Sequence, residues 1–282
     1  MSDVRPIGVF DSGLGGLTVV KELFRLMPGE RIIYLGDTAR VPYGGRSDET
    51  IRTFGMQNAQ FLMEEDIKLL IVACNTVSSV ALEYIEKNIQ DIPVVGVVVP
   101  GARAAVLRTA ERRIGVVGTA ATIRAGAYNR AIQAFDPTIK VYGKACPLFV
   151  PIVEEGLHVH DIARLTVQHY LSEMLDLNVD CIILGCTHYP LLMQSISEMV
   201  GTRIHLLDSA LWTAKEVQDI LMALSGFSDQ KSGGLEASRF LVTDHTPRFE
   251  ELASRFLGTD LPGIEQVSLE KLTKLCVPSV TA

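Results

Sequence analysis

The sequence predicts an α/β protein made of two doubly wound lobes with mostly parallel sheets. Three observations carry that reading. Short apolar runs alternate with longer amphipathic stretches along the 282 residues, the pattern of successive βαβ units. The apolar runs are mostly continuous, as parallel strands covered on both faces require. The pattern also echoes itself: Ile7-Gly8-Val9 returns as Ile114-Gly115-Val116, and Val72-Ala73-Cys74-Asn75-Thr76 is answered by Leu184-Gly185-Cys186-Thr187. The offsets are nearly equal, 107 and 112 residues, so two lobes of similar design are expected to face each other.

In chain order, strands are expected at Ile7–Phe10, Arg31–Leu35, Leu69–Ala73, Val94–Val99, Arg113–Val117, Ile139–Tyr142, Cys181–Leu184 and Ile204–Leu207. Helical periodicity fills the gaps at Leu17–Met27, Ser47–Glu64, Ser78–Asn88, Ala102–Arg112, Asp161–Leu175 and Leu191–Val200. Ser225–Gly234 reads as a polar surface linker. Beyond it, Arg239–Thr243 reads as a further strand and Pro247–Phe256 as a helix, a tail that returns to the first lobe.

Composition narrows the function classes. Apolar residues make up 48% and charged residues 21%, which fits a packed globular chain rather than a disordered one. A net charge of -7 argues against nucleic acid as partner, yet a locally polar pocket can still take a small anion. No apolar run is long enough to span a bilayer, and the polar start does not read as a signal peptide, so no membrane partner and a cytoplasmic location are expected. Five cysteines (Cys74, Cys146, Cys181, Cys186, Cys276) are then expected as reduced thiols, and their odd number excludes complete pairing.

Ligands of doubly wound sheets bind beyond the carboxyl ends of the strands. Four polar clusters sit at such ends: Asp11-Ser12-Gly13, Gly36-Asp37-Thr38, Cys74-Asn75-Thr76 and Cys186-Thr187-His188. Cys74 and Cys186 each precede a helical pattern, where backbone N–H groups favour a thiolate. Polar residues follow each of them directly, unlike Cys181 on its apolar strand or Cys276, which read as buried small hydrophobes. Cys181, Cys186 and His188 match no usual zinc spacing, so no metal is expected. Asp11, Glu154 and His188 are candidate bases or orienters for the thiols. Each has a plainer reading: a helix N-cap for Asp11, a solvated helix face for Glu154, a carbonyl-bound imidazole for His188. Gly13-Leu14-Gly15-Gly16 lacks the phosphate-loop and dinucleotide patterns and reads as a tight strand-to-helix turn. Pro42-Tyr43-Gly44-Gly45 reads as a loop in which Tyr43 is either an aromatic lid or an anchor.

Taken together, these clusters resemble the glutamate racemase branch of the aspartate/glutamate racemase family. The stretches that carry the resemblance are Ile7–Gly16, Tyr34–Gly44, Ala73–Thr76, Gly115–Thr122, Ala145–Gly156 and Leu184–Leu192, in the family's order. The resemblance implies pseudosymmetric lobes with the active site in the cleft between them. It implies a discontinuous first lobe, residues 1–97 plus 211–282, and a second lobe of residues 98–210. It further implies that L- and D-glutamate are interconverted with no cofactor, feeding peptidoglycan synthesis, by an enzyme whose relatives are often homodimers. By the same resemblance, Cys74 serves D-glutamate with help from Asp11, and Cys186 serves L-glutamate with help from His188 and Glu154. Ser12, Pro42, Tyr43, Gly44, Asn75, Thr76, Thr119, Thr187, Asp11 and His188 are the implied substrate contacts. Some Gram-negative relatives take a peptidoglycan-precursor activator and carry an N-terminal extension; the ten residues ahead of Asp11 speak against that activation here.

Inversion needs one group to take the α-proton from one face and another to return a proton to the opposite face. Two thiols on opposing lobes suit that geometry, since their ordinary pKa of about 8.5 can be tuned toward neutrality. Aspartate racemase is the nearest rival, ranked lower on the Cys186-Thr187-His188-Tyr189-Pro190 run. An arylmalonate-type decarboxylase keeps one of the two thiols, and a two-lobed binding protein needs neither.

Overall fold

The computed structural model describes residues 3–228, 233–245 and 249–275. Cys276 lies outside them, as do residues 229–232 of the expected linker and Pro247. Among the described residues ten strands form two parallel sheets: β1 (Ile7–Asp11), β2 (Ile32–Gly36), β3 (Leu69–Val72), β4 (Val94–Gly96), β5 (Arg113–Gly118), β6 (Lys140–Ala145), β7 (Cys181–Gly185), β8 (His205–Asp208), β9 (Arg239–Val242) and β10 (Glu265–Gln266). The first sheet runs β10-β9-β2-β1-β3-β4 and the second β6-β5-β7-β8. The order β2-β1-β3-β4 in one is thus the order β6-β5-β7-β8 in the other. That shared order is the structural form of the sequence echo, because β3 leads into Cys74 and β7 into Cys186.

The strands form where the sequence is rich in Val, Ile and Leu, and β1, β2, β3 and β7 are buried throughout. Helices cover both faces, as parallel sheets demand. The helix Leu17–Leu26 turns Leu17, Val19, Val20 and Leu23 inward and packs between the helices Ser209–Ala223 and Phe249–Leu257. Burying side chains of this size stabilises by about 1.5–3 kcal/mol each.

Three expectations shift. The strand at Val94 stops at Gly96, and Val98–Arg108 is a helix that starts earlier than Ala102. Its Pro100 sits in the first turn, where no backbone N–H is needed. The helix expected from Ser78 begins at Asn75 and breaks at Ala81 before resuming as Leu82–Asn88. Cys74 is therefore the N-cap residue itself. The helices Ala120–Ala125, Ala127–Phe135, Phe149–Glu154 and Ser209–Ala223 were not anticipated by the periodicity. No helix among the described residues is long and apolar enough to cross a membrane.

Candidate active site

The carboxyl ends of β1, β3, β5 and β7 converge on one narrow cleft. Cys74 and Cys186 both line it, together with Ser12, Pro42, Tyr43, Gly44, Asn75, Thr76, Thr119, Thr187 and His188. Asp11 and Glu154 stand behind that lining and reach it through hydrogen bonds. Val41 and Val150 complete the wall and had no signal in the sequence.

The lobes are stitched together at this cleft. Thr76 Oγ1 lies 2.9 Å from Thr119 Oγ1, and Thr187 donates a long 3.5 Å bond to Asp11 Oδ1. The backbone N–H of Ala121 donates to the Gly44 carbonyl at 3.0 Å. Gly15 explains the glycine-rich turn: a Cβ there would sit 2.2 Å from Thr187 Oγ1 and 2.9 Å from His188 Nδ1. The turn is glycine because the second lobe's cysteine loop presses against it.

Each thiol has a different neighbourhood. Cys74 donates a long 3.5 Å bond to Ser12 Oγ and has Asp11 close behind. Burial, reinforced by the Asp11 charge, pushes its thiol up to about 12, against the lowering pull of the Val77 N–H and the Ser12 hydroxyl. The helix N-terminus was expected to favour a thiolate; burial beside a carboxylate wins instead. Asp11 is itself raised by burial, although His188 and the N–H groups of Gly16, Gly13 and Ser12 oppose this. It accepts from the Gly13 N–H at 3.1 Å, and the N-cap of the following helix is Gly16 without a side-chain cap, so the N-cap reading of Asp11 is corrected.

Cys186 Sγ lies 3.9 Å from His188 Nδ1, and His188 Nε2 lies 3.2 Å from Glu154 Oε1. Burial works against the imidazolium, but the hydrogen bonds to Cys186 and Glu154 outweigh it and lift His188 to about 10. His188 is thus held by side chains rather than by a local carbonyl. Phe256 from the C-terminal tail packs edge-on against the imidazole at 5.3 Å, a contact the sequence did not announce. Glu154 ends the helix Phe149–Glu154 with its side chain about one third exposed, so it is neither free surface nor core.

Tyr43 is an anchor, not a lid. It is buried, and its hydroxyl donates to Asp37 and accepts from Asn58 Nδ2 at 3.2 Å. Arg40 and Thr243 complete the partners of Asp37. This network holds the segment Val41–Gly44 that forms one wall of the cleft. No lysine or arginine lines the cleft, and no cluster suited to a metal ion occurs among the described residues. An anionic ligand would meet hydroxyls, the Asn75 amide and the His188 imidazolium.

A two-lobed parallel α/β scaffold that closes two thiols, a buried carboxyl and an imidazolium around one small polar cleft defines a class: proteins built for acid–base chemistry on a small molecule. Comparison with known proteins narrows that class. The chain belongs to the Asp/Glu/Hydantoin racemase family, which its residues 7–217 match. It is 47% identical over 269 residues to a glutamate racemase of Geobacter metallireducens, covering 94% of this chain and 97% of that protein. A glutamate racemase of Chlorobaculum tepidum is 45% identical, with 95% and 98% covered. The crystal structure of the Francisella tularensis glutamate racemase in complex with D-glutamate superposes with a TM-score of 0.90 at 40% identity, covering 95% of this chain and 99% of that one.

Proposed function

We propose that this chain is an amino-acid racemase that interconverts L- and D-glutamate by moving the α-proton between Cys74 and Cys186. The observation that carries the reading is that both thiols line one cleft from opposite lobes, each with its own proton-handling neighbour. In the L-to-D direction Cys186 takes the α-proton beside the His188 imidazolium, and the Cys74 thiol returns a proton to the other face. In the reverse direction Cys74 must first be ionised, and Asp11 is the group placed to take its proton. The carbanion is stabilised by preset donors in a narrow cleft whose lining side chains are largely buried. The high identity to glutamate racemases supports glutamate over aspartate as substrate. D-glutamate made this way supplies peptidoglycan synthesis. The need for reduced thiols supports a cytoplasmic site, and Cys74 and Cys186 are both free. The pairing of β9 with β2, and of β10 with β9, supports a discontinuous first lobe of residues 1–97 with 211–282 around a second lobe of residues 98–210.

The test is incubation with L-glutamate in D2O without added cofactor, followed by circular dichroism and proton NMR. The optical signal decays to zero while the α-hydrogen is lost. Cys74→Ser and Cys186→Ser each abolish racemisation, and each retains α-hydrogen exchange with at most one enantiomer. Activity near the wild-type level in either variant removes that cysteine from the mechanism.

A further inference from the structure

Tyr128 stands outside the residues discussed so far, yet it touches the surroundings of both cysteines. It belongs to the helix Ala127–Phe135, and its hydroxyl donates a 2.6 Å hydrogen bond to Asn75 Oδ1, next in sequence to Cys74. Its ring lies against the strand end that precedes the other thiol. A Cβ on Gly185 would come within 3.2 Å of Tyr128 Cε2, and one on Gly101 within 3.4 Å of Cε1. Both glycines leave the space that the ring fills.

The hydrogen bond at Tyr128 has a direction. The phenol O–H is the donor and Asn75 Oδ1 the acceptor. That assigns the two ends of the Asn75 amide. Oδ1 is taken by Tyr128, whereas Nδ2 is buried and has no hydrogen-bond partner among the described residues. Buried amide N–H groups are almost always paired, so an unpaired one on a residue that lines a cleft is a donor awaiting an acceptor. Without the phenol, nothing described here decides between the amide and its flipped form, which would present a carbonyl oxygen to an anionic ligand.

We propose that Tyr128 is a positioning residue that sets the Asn75 amide with its NH2 toward the cleft and ties that donor to the Gly185–Cys186 turn. The inference rests on the racemase reading above. As the α-proton leaves, negative charge moves onto the substrate's α-carboxylate. A donor fixed in place before the reaction stabilises that state more than the ground state. The strut thus acts on kcat more than on KM.

Tyr128→Phe keeps the ring between Gly101 and Gly185 and removes only the hydroxyl. Steady-state racemisation is measured for this variant, for Asn75→Ala and for the double variant, with thermal unfolding as the check that each is folded. The expected result for Tyr128→Phe is a kcat lower by about 10- to 100-fold, somewhat less than loss of a direct oxyanion donor causes, with KM changed less than about threefold. Because Tyr128 acts through Asn75, the double variant is no slower than Asn75→Ala alone. A folded Tyr128→Phe with kcat within about threefold of wild type overturns the proposal. So does a double variant in which the two losses multiply. Failure of the wild-type protein to racemise glutamate is a separate outcome, which removes the functional reading instead.

Discussion

Gly15→Ala offers a sharp test of how the two lobes meet. The added Cβ would stand 2.2 Å from Thr187 Oγ1, 2.6 Å from Thr187 Cβ and 2.9 Å from His188 Nδ1, where ordinary contact begins near 3.4 Å. Relief at the closest point therefore needs a displacement of more than 1 Å. Thr187 and His188 are both buried, so they can move only with the loop that carries Cys186. Overpacking of this kind costs about 1–3 kcal/mol. At roughly 2–4 °C per kcal/mol for a large domain, the melting temperature falls by several degrees. A misplacement near 1 Å at a reacting group costs on the order of 100-fold in rate. The assay is kcat/KM by circular dichroism beside a thermal melt, with Gly45→Ala as control because a Cβ there meets nothing within 4 Å. If Gly15→Ala keeps kcat/KM within about threefold of that control, the glycine is not what lets the lobes close, and the argument fails.

Two further outcomes follow from the charged groups. Only the thiolate is alkylated, so with the Cys74 thiol pushed up to about 12 its reaction with iodoacetamide rises by about tenfold per pH unit between pH 7 and 10. Mass spectrometry of the Cys74 peptide reads this rate, and a plateau below pH 9 contradicts it. His188 is raised from its ordinary 6.5 to about 10 in the folded chain, so the stability it contributes with Glu154 is complete below pH 6.5 and fades as pH rises through 10. Glu154→Gln therefore melts below wild type by a margin that is widest near pH 6 and closes by pH 10; a margin that widens with pH reverses the sign of the argument.

The parts of this molecule that were legible in the sequence are those encoded locally. Asp11, Cys74, Cys186 and His188 follow apolar strand segments directly, so a strand-end rule finds them without any knowledge of what they touch. The helix at Asn75 was misread because Asn, Thr and Val are indifferent helix formers, and its first turn is fixed by packing. Val98 and Val99 look like strand continuation for the converse reason, since β-branched residues favour strands until the chain turns after Gly96. The direction of the Cys74 shift was illegible: it depends on how deeply the sulfur is buried and on Asp11 arriving from another strand. Tyr128 and Phe256 were hidden because each looks like an ordinary core aromatic until the fold brings it to the cleft.

The two halves are alike in topology and unlike in chemistry, and thermodynamics limits what that difference can do. Enantiomers have equal free energy in water, so the equilibrium constant of a glutamate racemisation is one. The Haldane relation then makes kcat/KM identical in the two directions for any arrangement of the site. In the proposed mechanism a resting Cys74 thiol suits L-glutamate, whose conversion needs a proton delivered from that side. It handicaps D-glutamate, which needs the same sulfur ionised and so meets a minor form of the protein, weakening its apparent affinity. Since the ratio is fixed, a higher KM for D-glutamate must come with a proportionally higher kcat. In that mechanism the pairing of Cys74 with Asp11 and of Cys186 with His188 and Glu154 therefore cannot favour one product at equilibrium. It sets the substrate concentration at which each direction saturates.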